Sequence, residues 1–461
     1  MSAGGEHGQE LIAALKRVGN RKGPALGVLW TWLEKRLPDL GERQWKSPEI
    51  LERVDGREYT GFTDEIWRSL EEDPVMGAAE LLATIDQSID PASELIEEAK
   101  GIHGESVLVC LRKSMLVMAA GGIEEPPSAH EHPSLTTLAP NIVVSKVDLD
   151  GIALDGRKAK GRLWQAVFDE LHDQFSGNPP RIEVHLDTLG SHGLTGWIQP
   201  PGERRGHFGP MTEADRLAVV AAAREAVRRA SVADTATILV MPELAVDESA
   251  LAAIKEELRA HEDDGPCLTF VGLRHRSAED EDPIRSDYVN EAVVLAPNGT
   301  ELWRHRKLKY AGASEVDGGH QSFVEDIRPG RTLTVVQTPV GNLALVICLD
   351  SFGDESRERL AESPANVIFV PSLSKSAKPH RVSLDQLVNK LFAIAFVCNR
   401  SPYLSEGPDQ WNGEKARSFW TFVISGSTVP PEKVDPQREH PSFVFKLEDK
   451  RKQSQGSTEQ P

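Results

Sequence analysis

Residues 343–350 read Leu-Ala-Leu-Val-Ile-Cys-Leu-Asp, and they hold the strongest local signal in the chain. Residues 343–347 are all apolar and include two β-branched side chains, which predicts a buried strand. Cys348 stands where this strand ends. Residues 351–355 carry the signals of a turn and a helix start, so the thiol is expected near a helix N-terminus, where backbone N–H groups favour a thiolate. Cys348 is therefore a candidate nucleophile.

Two further apolar segments lead to charged side chains upstream of Cys348. Residues 237–243 predict a strand that ends at Glu243, and Lys307 follows the strand-like residues 293–295. Lys309 follows the same strand and is the alternative to Lys307. The chain thus offers a carboxylate, an ammonium and a thiol at three strand ends or loops.

These three segments resemble the motifs of the nitrilase, or carbon–nitrogen hydrolase, superfamily. The family carries a Pro-Glu after an apolar strand, an Arg-Lys before a hydrophobic residue, and a Cys-x-Asp after another apolar strand. The corresponding segments here are 241–244 (Met-Pro-Glu-Leu), 305–308 (His-Arg-Lys-Leu) and 347–352 (Ile-Cys-Leu-Asp-Ser-Phe). The resemblance covers roughly residues 181–429 and departs at Leu349, where the family often has an aromatic residue.

The resemblance implies both a fold and a set of roles. The alternation of strands and helices predicts an α/β domain, and the family's form of it is a four-layer αββα sandwich, here preceded by a mostly helical N-terminal domain. Cys348 would be the nucleophile, Glu243 the general base and acid, and Lys307 the group that stabilises the tetrahedral intermediate. The backbone N–H of Leu349 would be a second donor to the oxyanion.

A second glutamate near the thiol is also expected, because many members of the family use one to orient the substrate. Glu315, in a Gly-rich loop after Lys307, and Glu325, ahead of a Pro-Gly turn, are both candidates. Asp350 matches the family's aspartate after the cysteine, and its expected role is to hold the turn by hydrogen bonds.

The function that this resemblance predicts is a thiol hydrolase that cleaves a small amide, carbamoyl compound or nitrile, with amides favoured. Two alternatives remain open: an acyltransferase that uses an amine in place of water, and a regulatory or ligand-sensing protein whose N-terminal domain binds a partner. No cofactor or metal is expected. A homo-oligomer, as a dimer, is expected from the family resemblance.

The rest of the chain predicts a division into domains. Residues 1–125 are expected to be a helical accessory domain, 126–140 a linker rich in Pro and Gly, 141–448 the hydrolase domain, and 449–461 a disordered tail. Residues 90–100 predict one of the N-terminal helices, since a proline stands in their first turn. The tryptophans of this region either pack a compact core or present a surface to a partner protein; they are Trp30, Trp32, Trp45 and Trp67.

Composition excludes several classes of function. Among 461 residues, 52 Lys and Arg stand against 71 Asp and Glu, a net charge of −19 that disfavours nucleic acid as a partner. The four cysteines are far apart and show no metal-binding or disulfide pattern, which favours a reducing cytoplasm. No apolar run is long enough to span a membrane, and the first residues lack the pattern of a signal peptide.

Overall fold

The computed structural model describes most of the chain. The described residues are 3–36, 47–89, 96–100, 106–111, 142–146, 152–154, 182–189, 197–198, 205–232, 236–277, 288–310, 324–338, 341–363, 365–374, 377–391, 393–400, 420–425 and 442–447.

The N-terminal part combines helices with a small antiparallel sheet in the order β1-β2-β3. Its described elements are α1 (Ala3–Val18), α2 (Lys22–Glu34), α3 (Ser47–Val54), α4 (Asp64–Glu72), α5 (Pro74–Gln87), β1 (Ile96–Lys100), β2 (Ser106–Leu111) and β3 (Ile142–Lys146). Trp30, Trp32 and Val109 lie in one buried cluster, and Trp67 packs against it. These three tryptophans therefore pack the core of this part; Trp45 lies outside the described residues.

The helix predicted over residues 90–100 is wrong for its described half, because Ile96–Lys100 forms β1. This strand pairs antiparallel with β2 along its whole length, from Ile96 opposite Cys110 to Lys100 opposite Ser106. Pairing with a neighbouring strand has overridden the local helix signal, as tertiary contacts often do for short segments.

The remaining elements include two six-stranded sheets, a three-stranded sheet and a two-stranded sheet. They are β4 (Ile152–Leu154), β5 (Ile182–Asp187), β6 (Trp197–Ile198), β7 (Arg205–Phe208), α6 (Glu213–Ala230), β8 (Ala236–Val240), α7 (Glu248–Ala260), β9 (Leu268–Gly272), β10 (Arg276–Ser277), β11 (Tyr288–Val289), β12 (Glu291–Leu295), β13 (Glu301–Arg306), β14 (Val324–Glu325), β15 (Leu333–Thr338), β16 (Gly341–Leu345), α8 (Asp354–Glu362), β17 (Val367–Ser372), α9 (Ala377–Leu391), β18 (Ile394–Asn399), β19 (Trp420–Ser425) and β20 (Ser442–Leu447). The first sheet has the order β13-β12-β9-β8-β5-β20, and the second has the order β19-β18-β17-β16-β15-β4.

The two sheets share one buried hydrophobic core. Phe270 of β9 stacks on Phe369 of β17 with 4.2 Å between ring centroids, and Phe369 stacks in turn on Phe396 of β18. Because side chains alternate along a strand, the neighbouring residues point the other way. Leu239 of β8 thus packs with α6 and α7, and Ile368 of β17 packs with α9. Both sheets are therefore apolar on two faces, which matches the continuous apolar runs in their strands.

Parallel pairing brings the carboxyl ends of the central strands to common edges. Strands β5, β8 and β9 pair in parallel in the first sheet, and β16, β17 and β18 do so in the second. The side chains that follow these strands therefore lie along the same edge of each sheet, which is the usual place for a site in an α/β fold.

Pairing also shows where the segments near the predicted linker go. Strand β3, which follows the predicted linker, pairs with β2 of the N-terminal sheet. The first described strand of the two large sheets is β4, which pairs with β15, and β20 closes the other sheet against β5. Residues 126–140 and 449–461, predicted as linker and tail, lie outside the described residues, and the division into domains stays a prediction.

No helix in the described part of the chain is long and apolar enough to cross a membrane.

Candidate active site

Cys348 opens a short 3₁₀ helix, Cys348–Ser351, directly after the strand that the apolar run predicts. Its φ angle is 45°, in the left-handed region that residues other than glycine seldom adopt. A non-glycine residue is held there when its surroundings overdetermine the turn, and such positions concentrate at functional sites. The side chain is 6% exposed, and Sγ lies 3.9 Å from the carbonyl oxygen of Leu373.

Asp350 ties this turn to the segment that carries the lysine. Its Oδ1 accepts the backbone N–H groups of Leu308 and Lys309, each at 3.0 Å. Its Oδ2 accepts the N–H of Ile347 at 3.2 Å and lies 3.3 Å from Nε2 of His305. Asp350 is fully buried. The role expected of it, to hold the turn by hydrogen bonds, is confirmed by this geometry.

Lys307 lies between two buried carboxylates. Its Nζ is 2.7 Å from Oε1 of Glu243 and 2.8 Å from Oε2 of Glu325. Asn290 Nδ2 donates to Oε1 of both glutamates at 2.7 Å, and His275 Nε2 lies 2.8 Å from Oε1 of Glu325. The side chains of the lysine and both glutamates are 2–3% exposed. The structure therefore brings Glu243, Lys307 and Glu325 into one hydrogen-bonded cluster.

The end of β9 lies very close to the turn that carries Glu243. A Cβ atom added at Gly272 would collide with the carbonyl oxygen of Pro242 and lie 2.6 Å from the Cα of Glu243. Leu244, the next residue, has a φ angle of 55°. Glycine at position 272 thus allows the two backbones to approach closely, and this contact positions the Cα atom of Glu243.

The sequence left two choices open, one between two glutamates and one between two lysines. Glu325 contacts Lys307, whereas Glu315 lies outside the described residues. Lys309 is exposed and contributes its backbone N–H to Asp350, so Lys307 is the lysine of the cluster. Leu349 follows the thiol in the first turn of the 3₁₀ helix, where a backbone N–H has no acceptor within the helix.

Burial and charge set the protonation of the cluster. Burial raises the pKa of Glu243; the Lys307 ammonium lowers it and the Glu325 carboxylate raises it further. Burial lowers the pKa of Lys307, but Glu243 and Glu325 outweigh this and hold it well above its ordinary value. Burial alone raises the pKa of Glu325, but Lys307 and His275 outweigh burial and hold it below its ordinary range. Lys307 is therefore an ammonium and Glu325 a carboxylate at neutral pH.

The thiol itself is protonated in this state. Burial raises the pKa of Cys348 to about 12, with the Glu243 carboxylate adding to the effect and Lys307 opposing it. The expectation that the strand-to-helix position favours a thiolate is wrong for the resting site, because loss of solvent outweighs the N–H groups. The thiol needs a base, and Glu243, whose pKa burial raises, is the carboxyl group held beside Lys307.

A second hydrogen-bonded group that the sequence analysis missed supports Cys348 from the other side. Ser372, at the end of β17, forms a side-chain hydrogen bond with the Cys348 sulfur. Its Oγ is 3.2 Å from Nε2 of His380, whose Nδ1 is 2.9 Å from Oγ of Ser351. Ser351 Oγ then donates to the carbonyl oxygen of Cys348 at 2.8 Å. Burial, followed by the charge of Lys307, lowers the pKa of His380 to about 3, so this imidazole is neutral.

Asn290, His275 and His380 carry no motif signal of their own. A polar residue at the end of an apolar strand or on a helix near the predicted site would have been the available hint. Among the described residues, no group of three His, Cys, Asp or Glu side chains could hold a metal ion.

Comparison with known proteins identifies the superfamily of this part of the chain. The carbon–nitrogen hydrolase family model matches residues 206–401, which contain Glu243, Lys307 and Cys348 in the order of the family motifs. The C-terminal part of the chain therefore contains a domain of the nitrilase superfamily. A comparison with curated proteins gave no match.

Solved structures similar to the chain include proteins of several activities. A mutant amidase from Nesterenkonia sp. AN1, whose active-site cysteine carries the acetamide moiety of fluoroacetamide, is 15% identical with a TM-score of 0.38, over 60% of this chain and 96% of that chain. Nit3 of Saccharomyces cerevisiae, a member of branch 10 of the nitrilase superfamily, is 17% identical with a TM-score of 0.40, over 61% and 97%. The glutamine-dependent NAD+ synthetase from Acinetobacter baumannii is 14% identical with a TM-score of 0.38, over 58% and 45%.

Proposed function

We propose that the C-terminal domain is a thiol hydrolase that cleaves the carbon–nitrogen bond of a small, non-peptide amide, carbamoyl compound or nitrile. The observation that carries the proposal is the buried Lys307 between two carboxylates, with Nζ within 2.8 Å of an oxygen of each. Lys307 also interacts electrostatically with the Cys348 thiol. Nucleophile, base and cation are the three groups that covalent cleavage of this bond needs.

The chemistry follows from the protonation of these groups. Glu243 takes the proton of Cys348 as the sulfur attacks the carbonyl carbon, and the negative charge moves to the carbonyl oxygen. The Lys307 ammonium and the N–H of Leu349 are the donors proposed for this oxyanion. Glu243 then gives the proton to the nitrogen, the carbon–nitrogen bond breaks, and an amine or ammonia leaves an acyl-enzyme. A water molecule that loses its proton to Glu243 attacks the acyl group, and the thiol leaves with that proton.

Amides are favoured over nitriles because most of the superfamily that the motifs resemble cleaves amides. Acyl transfer to an amine would use the same acyl-enzyme and differ in the molecule that enters second. The regulatory alternative, with residues 1–125 binding a partner, is disfavoured by the complete set of buried groups. A four-layer αββα sandwich, a homo-oligomer and a cytoplasmic location are the remaining parts of this proposal.

Intact-mass trapping tests the proposal. The full chain is incubated with a panel of small amides, carbamoyl compounds and nitriles, and the expected result is an acyl adduct that maps to Cys348 and is lost in Cys348→Ala. Cys267→Ala is the matched control, since that buried thiol donates to the carbonyl oxygen of Thr237 away from Lys307 and should leave the adduct unchanged. An adduct on Cys267 or Cys398, or an undiminished adduct in Cys348→Ala, would show that the nucleophile is wrong.

A further inference from the structure

Arg400 is a fully buried cation that follows β18, at the edge of the sheet that carries Cys348. Its exposed fraction is 0%, and its backbone N–H donates to the carbonyl oxygen of Ser372 at 3.0 Å. Its three guanidinium nitrogens, Nε, Nη1 and Nη2, have no hydrogen-bond partner among the described residues. A buried guanidinium keeps its proton and is strongly disfavoured unless an anion or several acceptors surround it.

A second buried guanidinium, that of Arg274, adds to the positive charge. Arg274 follows β9 in the opposite sheet, is 3% exposed, and donates from Nη1 to the carbonyl oxygen of Gly209 at 2.6 Å. Burial, with the charge of Arg274 adding to it, lowers the pKa of Arg400 to about 9, and Asp215 partly offsets this. Asp215 is half-buried and also acts on Arg274, as does Asp247, which is bonded to Arg216. None of these carboxylates is a hydrogen-bond partner of the Arg400 guanidinium.

This pair of arginines lies next to the proposed active site. Leu373, whose carbonyl oxygen faces the Cys348 thiol, packs in one apolar cluster with Leu244 and Phe208. Arg274 lies over the ring of Phe208, 5.8 Å from its centroid. Cys348 and Arg400 follow β16 and β18, which flank β17, so the two lie about two strand spacings apart, roughly 10 Å.

We propose that Arg400, with Arg274 beside it, binds the carboxylate or phosphate group of a small molecule at the edge of the sheets where Cys348 lies. The planar guanidinium offers two parallel N–H donors to two oxygens of one anion, and a buried setting strengthens that contact. The bound oxyanion supplies the hydrogen-bond acceptors that the Arg400 guanidinium lacks among the described residues.

Thermal unfolding of the full chain tests for the anion site. Inorganic phosphate, compared with chloride at equal ionic strength, should raise the unfolding midpoint by roughly 2–5 °C when it is well above its Kd. Arg400→Met should lose most of this rise, whereas Arg228→Met, an exposed arginine paired with Glu257, should keep it. Equal rises in all three proteins would reduce the effect to general salt stabilisation and overturn the proposal.

The buffer without phosphate gives an independent readout. If the anion that binds Arg400 comes from solution, Arg400→Met should be at least as stable as the wild type in buffer without phosphate, because an uncompensated buried charge has been removed. If a carboxylate of this chain neutralises Arg400, the variant should be markedly less stable and the wild type should ignore phosphate, which overturns the proposal. If Arg400→Met fails to fold, Arg400→Gln, which is also uncharged, takes its place, and an undiminished response of that variant to phosphate overturns the proposal.

Substrates distinguish a carboxylate carried by the substrate from a separate small anion; this arm rests on the proposed hydrolase function. Monoamides of dicarboxylic acids are compared with their methyl esters. A preference for the free acid that Arg400→Met removes, with Arg228→Met unchanged, assigns the anion to the substrate. Turnover that is indifferent to the carboxylate but sensitive to phosphate assigns it to a separate anion. Phosphate stabilisation without any turnover would leave the site intact and count against the hydrolase.

Discussion

The protonation states of Glu243 and Cys348 determine the pH dependence of the proposed reaction. The thiol pKa of about 12 means that the sulfur is protonated throughout the neutral range, so the rate depends on an ionised base and not on a preformed thiolate. Burial raises the pKa of Glu243 above the ordinary 4.5. Since the base must be ionised, kcat/KM should fall as the pH falls through this raised pKa.

Glu325 provides a specific test of that assignment. Its carboxylate raises the pKa of Glu243, so Glu325→Gln should move the acid limb of the kcat/KM profile to lower pH. Glu262→Gln, at an exposed position after α7, is the control that should leave the limb in place. The profile of each protein is measured with an amide that the wild type turns over. An acid limb that is unchanged in Glu325→Gln, or that moves in Glu262→Gln, would contradict the geometry of the cluster.

Lys307 should matter more for rate than for binding. Replacement by Met keeps much of the stem and removes the charge, so kcat should fall on the order of 10²-fold if the ammonium stabilises the oxyanion, while substrate affinity changes far less. Lys309→Met is the control, because that lysine is exposed. Single-turnover kinetics separate the two effects.

The same substitution also leaves two buried carboxylates facing each other. One partner removed from a buried ion pair costs about 3–5 kcal/mol, so the folded state of Lys307→Met must be checked by circular dichroism. The double variant Lys307→Met, Glu325→Gln carries less uncompensated charge and should regain stability without regaining rate. If Lys309→Met were the slow variant, the lysine motif would be shifted by two residues.

At the scale of elements, the site depends on how the turn after β16 is held against the end of β13. Asp350 accepts N–H groups from both segments, and an amide side chain offers one acceptor where the carboxylate offers two. Asp350→Asn should therefore lower the free energy of unfolding by about 1–3 kcal/mol, the usual cost of unsatisfied buried groups. Denaturant unfolding measures it, with the exposed Asp354→Asn as control. Equal stability of both variants would show that the hydrogen bonds contribute little.

At the scale of the whole molecule, β3 decides where the chain can be cut. A chain that begins at residue 140 keeps β3 but loses its partner β2, and an unpaired strand edge promotes association. A chain that begins at residue 148 keeps every described strand of the two large sheets. The 148–461 protein should be monodisperse by light scattering, unfold cooperatively and still form the Cys348 adduct. The 140–461 protein should associate in the same light-scattering measurement. An unfolded or aggregated 148–461 protein would show that the two large sheets need the N-terminal part.

Local pattern was enough to predict the central strands, and the resemblance to the family motifs pointed to the reactive groups. The apolar run before Cys348 consists of the end of β16 and the two residues that follow it, and the residues before Glu243 form β8. Both could be predicted because a strand buried on both faces is an unbroken apolar segment in the sequence. Lys307 and Cys348 could be named in advance because their segments resemble two motifs of the family, an Arg-Lys before a hydrophobic residue and a Cys-x-Asp after an apolar strand.

Other features depended on neighbours that are distant in sequence. Glu325 reaches Lys307 from a two-residue strand with no distinctive pattern, and β1 is a strand because β2 lies beside it. The thiol pKa, the Ser372–His380 hydrogen bond and the burial of Arg400 likewise arise from packing. Burial and the charge of surrounding groups are properties of the assembled edge of the two sheets. The protonation states of the cluster and the burial of the Arg400 guanidinium were therefore determined by the tertiary structure and not by any local stretch of sequence.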